Sequence, residues 1–380
     1  MRFDLTEERR SLADIVSQFL AKELPSTELR PWLGAVSGRA YRDWWRRCGG
    51  LGWSCIFAPP GTGEYGPLSE APLLDAALVA EVSGRALCPS PLVGTSAAVA
   101  ALAADPGTAE SILAAVLDCT SIAAYALEEP GGVWELDELA TTARVEGNEL
   151  VIDGTKAMVA DAGTADVLLV ACHLDNGVGL VLVPAQTAGT TVHEQRGLDL
   201  LRSFGTVRFE GARVGRDALI AKADPPSVLQ LATCLQLAET VGALDRLFDL
   251  TLAYARSRYA FGRPIGSFQA LKHRIADLLL SVEGCKGTVD AAIDAVSAGS
   301  PDSDLLVSVA KVYVGDRCVQ VAQQCTQILG GIGLTWEHDA HLYLRRVTTN
   351  RAVFGTPEQH RARIARLLDV KGQKRGEDGS

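Results

Sequence analysis

The stretch Arg258-Tyr259-Ala260-Phe261-Gly262-Arg263-Pro264-Ile265-Gly266-Ser267-Phe268-Gln269 separates two long segments of helical periodicity, about Ser227–Tyr259 and Phe268–Ser297. Its Gly and Pro residues break helices, so the string reads as a connection between them. A third run, about Asp302–Leu329, stops at Gly330-Gly331, a helix C-terminal signal. At about 1.5 Å per residue each run is on the order of 40–50 Å long, the dimensions of a helix bundle. A shorter helix, about Pro357–Leu368, is expected to close it, ahead of a polar tail, Lys371–Ser380, expected to fray.

Upstream of Pro225-Pro226 the pattern changes. Between about Ser121 and Val214 short apolar runs such as Leu150-Val151-Ile152, Val167–Val170, Gly179–Val183 and Thr206–Phe209 are bounded by Gly, Asn and Asp, which predicts a compact β barrel or sandwich. The segment before about residue 120 is Ala/Leu-rich with helical spacing, as in Leu73-Leu74, Ala77-Leu78 and Val82. Pro59-Pro60-Gly61, Gly63 and Gly66-Pro67 mark one loop in it, and Pro89 with Pro91 another. The expected class is α+β, mostly α: an N-terminal helical domain (1–120), a middle β domain (121–215), a C-terminal four-helix bundle (225–370) and a flexible tail (371–380).

Composition narrows the function. The chain has 380 residues, 47% apolar and 22% charged, enough for a deep core, and a net charge of -10 that argues against nucleic-acid coating. Nine scattered Cys without a C-x-x-C pair read as reduced core thiols, with no zinc site. Met1–Glu8 lacks an apolar leader and no run approaches the roughly 18 uninterrupted apolar residues of a membrane span. A cytoplasmic protein with no membrane partner is expected.

Three strings in order carry a family resemblance: Arg258–Gln269, then Gln327-Ile328-Leu329-Gly330-Gly331-Ile332-Gly333 with Thr335-Trp336-Glu337-His338 and Arg345-Arg346, then Phe354-Gly355-Thr356. Together they resemble the acyl-CoA dehydrogenase family, with its R-x-x-F-G-x-x-I-x-x-F-Q, Q-x-x-G-G-x-G and E-G-T signatures. Leu51-Gly52-Trp53 and Glu81–Ala86 are similar to its amino-terminal domain, and Glu129-Pro130-Gly131 to the start of its flavin-binding middle domain. The resemblance implies FAD, with Arg258, Phe261, Gln269, Gln327, Gly330 and Gly331 against the ADP half of a flavin centred on an adjacent subunit. Physically, Gly330 and Gly331 leave backbone N–H groups open to a pyrophosphate, and Arg258 adds a charge-assisted fork. The alternative is that Gly330-Gly331 only caps a helix and Phe261 is a core residue.

The sequence departs from the family at its chemistry. Desaturation needs a carboxylate base over the thioester, and the E-G-T base position is Phe354. The second customary base position, on the first bundle helix, falls on Ala232, with Glu239 about two turns away. Where the family places W-[IT]-[TS] against the flavin ring, Met158 and Ala160 stand, and Gly132-Val133-Trp134-Glu135 replaces G-S-D. No catalytic residue is assigned.

An eroded ring side beside a retained ADP side implies half of a composite site. Some actinobacterial members acting on steroid side-chain CoA thioesters are α2β2 heterotetramers, and Thr335–Tyr343 resembles that branch. The expectation is a non-catalytic subunit with an acyl-CoA substrate, a second dehydrogenase chain as partner and an electron-transfer flavoprotein as acceptor. Two readings stand beside it: a self-sufficient homotetramer with a displaced base such as Glu358, and a non-redox acyl-CoA-binding scaffold. His338 and His341 suit a hydrogen-bonded helix surface better than a metal, and Trp44-Trp45 with Arg46-Arg47 suits packing with snorkelling. Arg345-Arg346 stays open between CoA phosphates and an interfacial pair.

Overall fold

The computed structural model describes residues 5–59, 62, 69–105 and 107–377. Most of the loop expected at residues 60–67 lies outside them. The chain divides into two compact units, Thr27–Val79 with Cys88–Leu235, and Met1–Ser26 with Ala80–Leu87 and Gln236–Ser380.

In the first unit, α2 (Gly38–Gly49), α4 (Leu92–Ala104) and α5 (Glu110–Leu117) accompany a seven-stranded sheet. Its strands are β1 (Ala123–Ala126), β2 (Thr142–Glu146), β3 (Glu149–Ala160), β4 (Val167–Leu174), β5 (Gly177–Pro184), β6 (Thr190–Gln195) and β7 (Phe204–Gly215). The order is β1-β4-β2-β3-β7-β6, with β5 also on β4. Only β1/β4 and β2/β4 are parallel. Alternate residues of the strands, among them Ile152, Leu168, Val170, Val181, Val207 and Phe209, form one apolar core. The Tyr41 hydroxyl donates to Asp161 Oδ1 at 2.8 Å, and Arg42 forks onto Asp166 at 2.6 and 3.0 Å, so α2 is tied to the β3–β4 turn.

The second unit is helical. It holds α1 (Glu7–Glu23), the end of α3 (Pro72–Arg85), α6 from Gln236 onward (Pro225–Ser257 in all), α7 (Gln269–Ser297), α8 (Ser303–Leu329), α9 (Ala340–Asn350) and α10 (Pro357–Glu377). Between α6 and α7 the short strands β8 (Tyr259–Ala260) and β9 (Arg263–Pro264) form a hairpin. Helix α10 continues through Glu377, into the tail expected to fray from Lys371.

A Cβ at Gly84 would lie 2.0 Å from the Glu239 carbonyl oxygen, and one at Gly242 would lie 1.9 Å from that of Glu81. The crossing of α3 and α6 is therefore backbone against backbone, possible only with glycine on both sides. Charge reinforces it. Arg85 bonds Asp245 and, at 2.6 Å, Asp249, while buried Lys286 of α7 reaches Asp245 at 2.6 Å. Helix α6 is long and apolar enough to cross a membrane, but 89% of its most apolar window is buried inside the protein.

Candidate cofactor site and acyl-CoA dehydrogenase family

The Arg258–Gln269 string leaves α6, turns through Phe261 (φ 52°) and Gly262 (φ 79°), and enters α7 at Gln269. Two successive left-handed residues make the tight hairpin turn, and Gly262 adopts it without strain. Phe261 is 96% exposed, which overturns the reading of it as a core residue. Its ring meets Phe268 edge-on at 6.4 Å, and Arg263 lies 4.1 Å above the Phe268 ring.

Helices α7 and α8 pack as a hairpin, so Gln327 and Gly330-Gly331 return to the end of the bundle where α7 begins. Arg258, Phe261, Gln269, Gln327, Gly330 and Gly331 are all exposed. Among the described residues, the side chains of Arg258, Gln269 and Gln327 have no hydrogen-bond partner. Gly330 (φ 67°, ψ -145°) occupies backbone space that other residues avoid, so the helix cap alone accounts for it. Gly331 has no left-handed φ, and a Cβ there would meet nothing within 4 Å. This chain's own folding does not require that glycine, and a close approach to its backbone from outside would.

On the sheet, Glu129 is structural. Its Oε1 accepts from Lys156 Nζ at 2.8 Å and from the Thr141 amide at 2.9 Å, and its Oε2 from the Ala140 amide at 2.6 Å. Lys156 also donates to the Leu127 carbonyl at 3.0 Å. Burial pushes the Glu129 carboxyl up, but the Lys156, Thr141 and Ala140 hydrogen bonds prevail and leave it below its ordinary value. Burial of Lys156 lowers its own pKa despite Glu129. Met158 sits at φ 51° in a break of the β3/β7 register, half-buried, and Trp134 is buried at 3% exposure.

Residues 6–111, 124–212 and 228–368 match the N-terminal, middle and C-terminal domain models of acyl-CoA dehydrogenases. IpdE2, an acyl-CoA dehydrogenase of Mycobacterium tuberculosis, is 30% identical over 93% of this chain and 95% of its own. The chain belongs to the acyl-CoA dehydrogenase family. Its fold superimposes on a chain of the ChsE4-ChsE5 complex from Mycobacterium tuberculosis with TM-score 0.85 and 26% identity, covering 97% of this chain and 99% of that one. For a chain of the Tcur3481-Tcur3483 steroid ACAD the TM-score is 0.84, with the same identity and coverage. Membership makes this chain part of an FAD-dependent oxidoreductase family.

At the positions weighed for a base, the structure places a phenyl ring and two hydrogen-bonded carboxylates. Phe354 is buried at 7% exposure and φ 57°. Glu358 is exposed and bonded to Arg351 at 2.7 Å, and its helix-start amide, Arg351 and Thr356 hold its carboxyl below the ordinary value. Glu239 is buried in α6, where Arg346 of α9 donates to it at 2.9 Å and Asn350 at 3.2 Å.

The Phe354 loop is held by its main chain. Buried Lys311 of α8 donates to the carbonyls of Val353 at 2.5 Å and Asn350 at 3.4 Å. His360 Nε2 contacts the Phe354 carbonyl at 2.9 Å, and since a carbonyl only accepts, that nitrogen carries the proton. Burial, with Lys311 nearby, lowers the His360 pKa from 6.5 to about 3. His360 therefore contributes stability that is complete above about pH 6.5 and lost as pH falls toward about 3, a few kcal/mol in all. The expected result for His360→Gln is a urea midpoint that falls less steeply than wild type across that window. Parallel midpoints would contradict it.

The remaining expectations divide. Arg346 is fully buried against Glu239, which makes it neither a phosphate ligand nor an interfacial residue. His338 Nδ1 accepts from the Ala340 amide at 3.0 Å just before α9, as expected of a surface hydrogen bond. His341 is instead buried, stacked on Trp336 at 5.0 Å. Among the described residues no His, Cys, Asp and Glu group is arranged for a metal, and all nine Cys are buried and outside any disulfide. Trp44 and Trp45 are core residues, with Trp44 Nε1 donating to the Pro89 carbonyl at 2.8 Å. Lys311, His360 and the Tyr41–Asp161 pair were not signalled by any motif, because their partners are carbonyls or lie far away in sequence.

Proposed function

We propose that this chain is the non-catalytic subunit of a heteromeric, FAD-dependent acyl-CoA dehydrogenase. It helps hold an FAD centred on a partner chain and supplies no base for removal of the Cα proton. One observation carries the reading: a buried phenyl ring occupies the base position of a loop that is otherwise intact, while Gly331 and Arg258 stay open.

The residues present fit the ADP half of FAD. Arg258 offers an unpaired guanidinium to a pyrophosphate, Gly331 an uncovered backbone, Gln269 and Gln327 amides, and Phe261 an exposed ring. When bound, FAD supplies the hydride acceptor of the reaction. Met158 and Ala160, both half-buried, leave this chain's own ring side without the family's indole and hydroxyl. The likeness to the Tcur3481-Tcur3483 steroid ACAD supports a steroid side-chain CoA thioester as the substrate class, and an electron-transfer flavoprotein is the acceptor proposed with it.

The test is an absorbance spectrum with light-scattering mass, on the chain alone and co-expressed with candidate dehydrogenase subunits. About one flavin per pair of unlike chains, and none on the chain alone, is the expected result. Stoichiometric flavin and turnover in the homomer would establish a self-sufficient enzyme instead, and acyl-CoA binding without flavin in any mixture would establish the scaffold. Arg258→Ala removes a charge-assisted contact of about 1.5–3 kcal/mol, so FAD in the heteromer should be retained roughly 10- to 100-fold more weakly. Unchanged flavin occupancy on dilution would remove Arg258 from the site.

A further inference from the structure

We infer that Asn176, at the tip of the β4–β5 hairpin, is a site of spontaneous deamidation, where the side-chain amide is exchanged for an aspartate or isoaspartate carboxylate without an enzyme. The inference is independent of the flavin reading. Leu174 pairs with Gly177, so Asp175 and Asn176 form a two-residue loop, and residues 175–177 are all exposed. Gly177 has φ 121°, and a Cβ there would meet nothing within 4 Å.

The reaction needs only water and the chain itself. The Gly177 main-chain nitrogen gives its proton to solvent and attacks Asn176 Cγ. The new N–Cγ bond closes a five-membered imide as the Cγ–Nδ2 bond breaks, and Nδ2 leaves as ammonia with a proton taken from solvent. Water then opens the ring. Addition at Cγ cleaves the new bond and leaves aspartate, whereas addition at the main-chain carbonyl carbon leaves isoaspartate, with the chain running through Cβ and Cγ. One water is consumed, one ammonia is released, and nothing is oxidised or reduced. Ring closure needs the Asn176 ψ to rotate away from the value of about 0° that the second loop residue of a turn adopts, so the tip must fray. A following glycine, without a Cβ, leaves that rotation and the approach of its nitrogen unhindered.

The chain holds three asparagines, and the other two isolate the cause. Asn148 is also exposed and also the second residue of a two-residue hairpin loop, Gly147-Asn148, closed by the pair Glu146–Glu149. Gly147 at φ 63° makes that turn type II′, and the lack of a positive φ at Asp175 and Asn176 makes the other type I. The second loop residue has nearly the same conformation in both types. What differs is the residue that follows: Glu149 carries a Cβ and Gly177 does not. Asn350 is buried, and its amide donates to Glu239 at 3.2 Å and Thr240 at 3.0 Å, which holds it from rotating. Conversion of Asn176 sets a second carboxylate beside Asp175 in a chain of net charge -10, and isoaspartate also inserts a methylene into the loop. The damage is confined to the tip, because the buried pair Val170–Val181 keeps the register of β4 and β5.

The experiment is ageing of the full folded chain at mildly alkaline pH, followed by tryptic peptide mass spectrometry, with an isoaspartyl carboxyl methyltransferase as the probe for isoaspartate. Fragments 145–156, 157–196 and 347–351 each carry one asparagine. Acid should form at Asn176 at least about tenfold faster than at Asn148, with isoaspartate in excess of aspartate and no conversion at Asn350. Asn176→Gln, whose ring would be six-membered, should abolish the product in fragment 157–196. Glu149→Gly should bring Asn148 to within a few-fold of Asn176. Equal rates at Asn148 and Asn176, a Glu149→Gly variant in which Asn148 is unchanged, or aspartate formed without isoaspartate would each overturn the inference.

Discussion

Lys156→Met is expected to destabilise the sheet-containing unit by about 3–5 kcal/mol, the effect of stranding one member of a buried ion pair. Lys156 is fully buried and Glu129 nearly so, at 0% and 5% side-chain exposure. The Ala140 and Thr141 amides still bond the carboxylate, yet its charge stays uncompensated. Lys156→Met with Glu129→Leu removes both charges and should recover most of the loss, since apolar replacement of a whole buried pair is often neutral. Urea denaturation of the single and double variants decides this. A single variant within about 1 kcal/mol of wild type would mean that the pair is solvated.

Gly242→Val should cost at least about 3 kcal/mol, at the upper end of overpacking penalties, because its Cβ meets the Glu81 main chain and not a movable side chain. The sign is diagnostic. A glycine in the middle of a helix normally gains up to about 1 kcal/mol on replacement by alanine. Gly287 in α7, exposed and with nothing within 4 Å of its would-be Cβ, should show that gain as Gly287→Ala. Gly242→Ala should instead be destabilising, and if Gly242→Val does not fold, the alanine pair still tests the crossing by thermal midpoint. Equal gains at both glycines would show that α3 and α6 have room to part.

Much of the bundle was legible because α6, α7 and α8 carry helical periodicity that single internal glycines do not break, with Pro only at helix starts or between helices. Their bounds, Pro225–Ser257, Gln269–Ser297 and Ser303–Leu329, lie within two residues of the expected ones. Helix α9 escaped notice: it has eleven residues and ends in Val347-Thr348-Thr349-Asn350, a poor helical signal stabilised by the buried Arg346–Glu239 contact. Strand β6, Thr190–Gln195, was missed because its polar residues face solvent on the edge of the sheet. Arg345-Arg346 looked like one feature in sequence, but successive helical residues point about 100° apart and only Arg346 enters the core. The phenyl ring at the motif's acid position was legible, since Phe354 stands in the sequence itself. Its surroundings were not, because contacts to carbonyl oxygens leave no trace in residue types.

Those contacts bear on how such a chain arises. Lys311 and His360 grip carbonyl oxygens, so the left-handed turn at Phe354 is specified by groups that do not depend on which side chain residue 354 carries. After a gene duplication, one copy can therefore exchange an acid at that position for a hydrophobic residue without unravelling the loop or the helix that follows. In this scaffold the grip on the loop and the identity of the side chain it presents are physically separate.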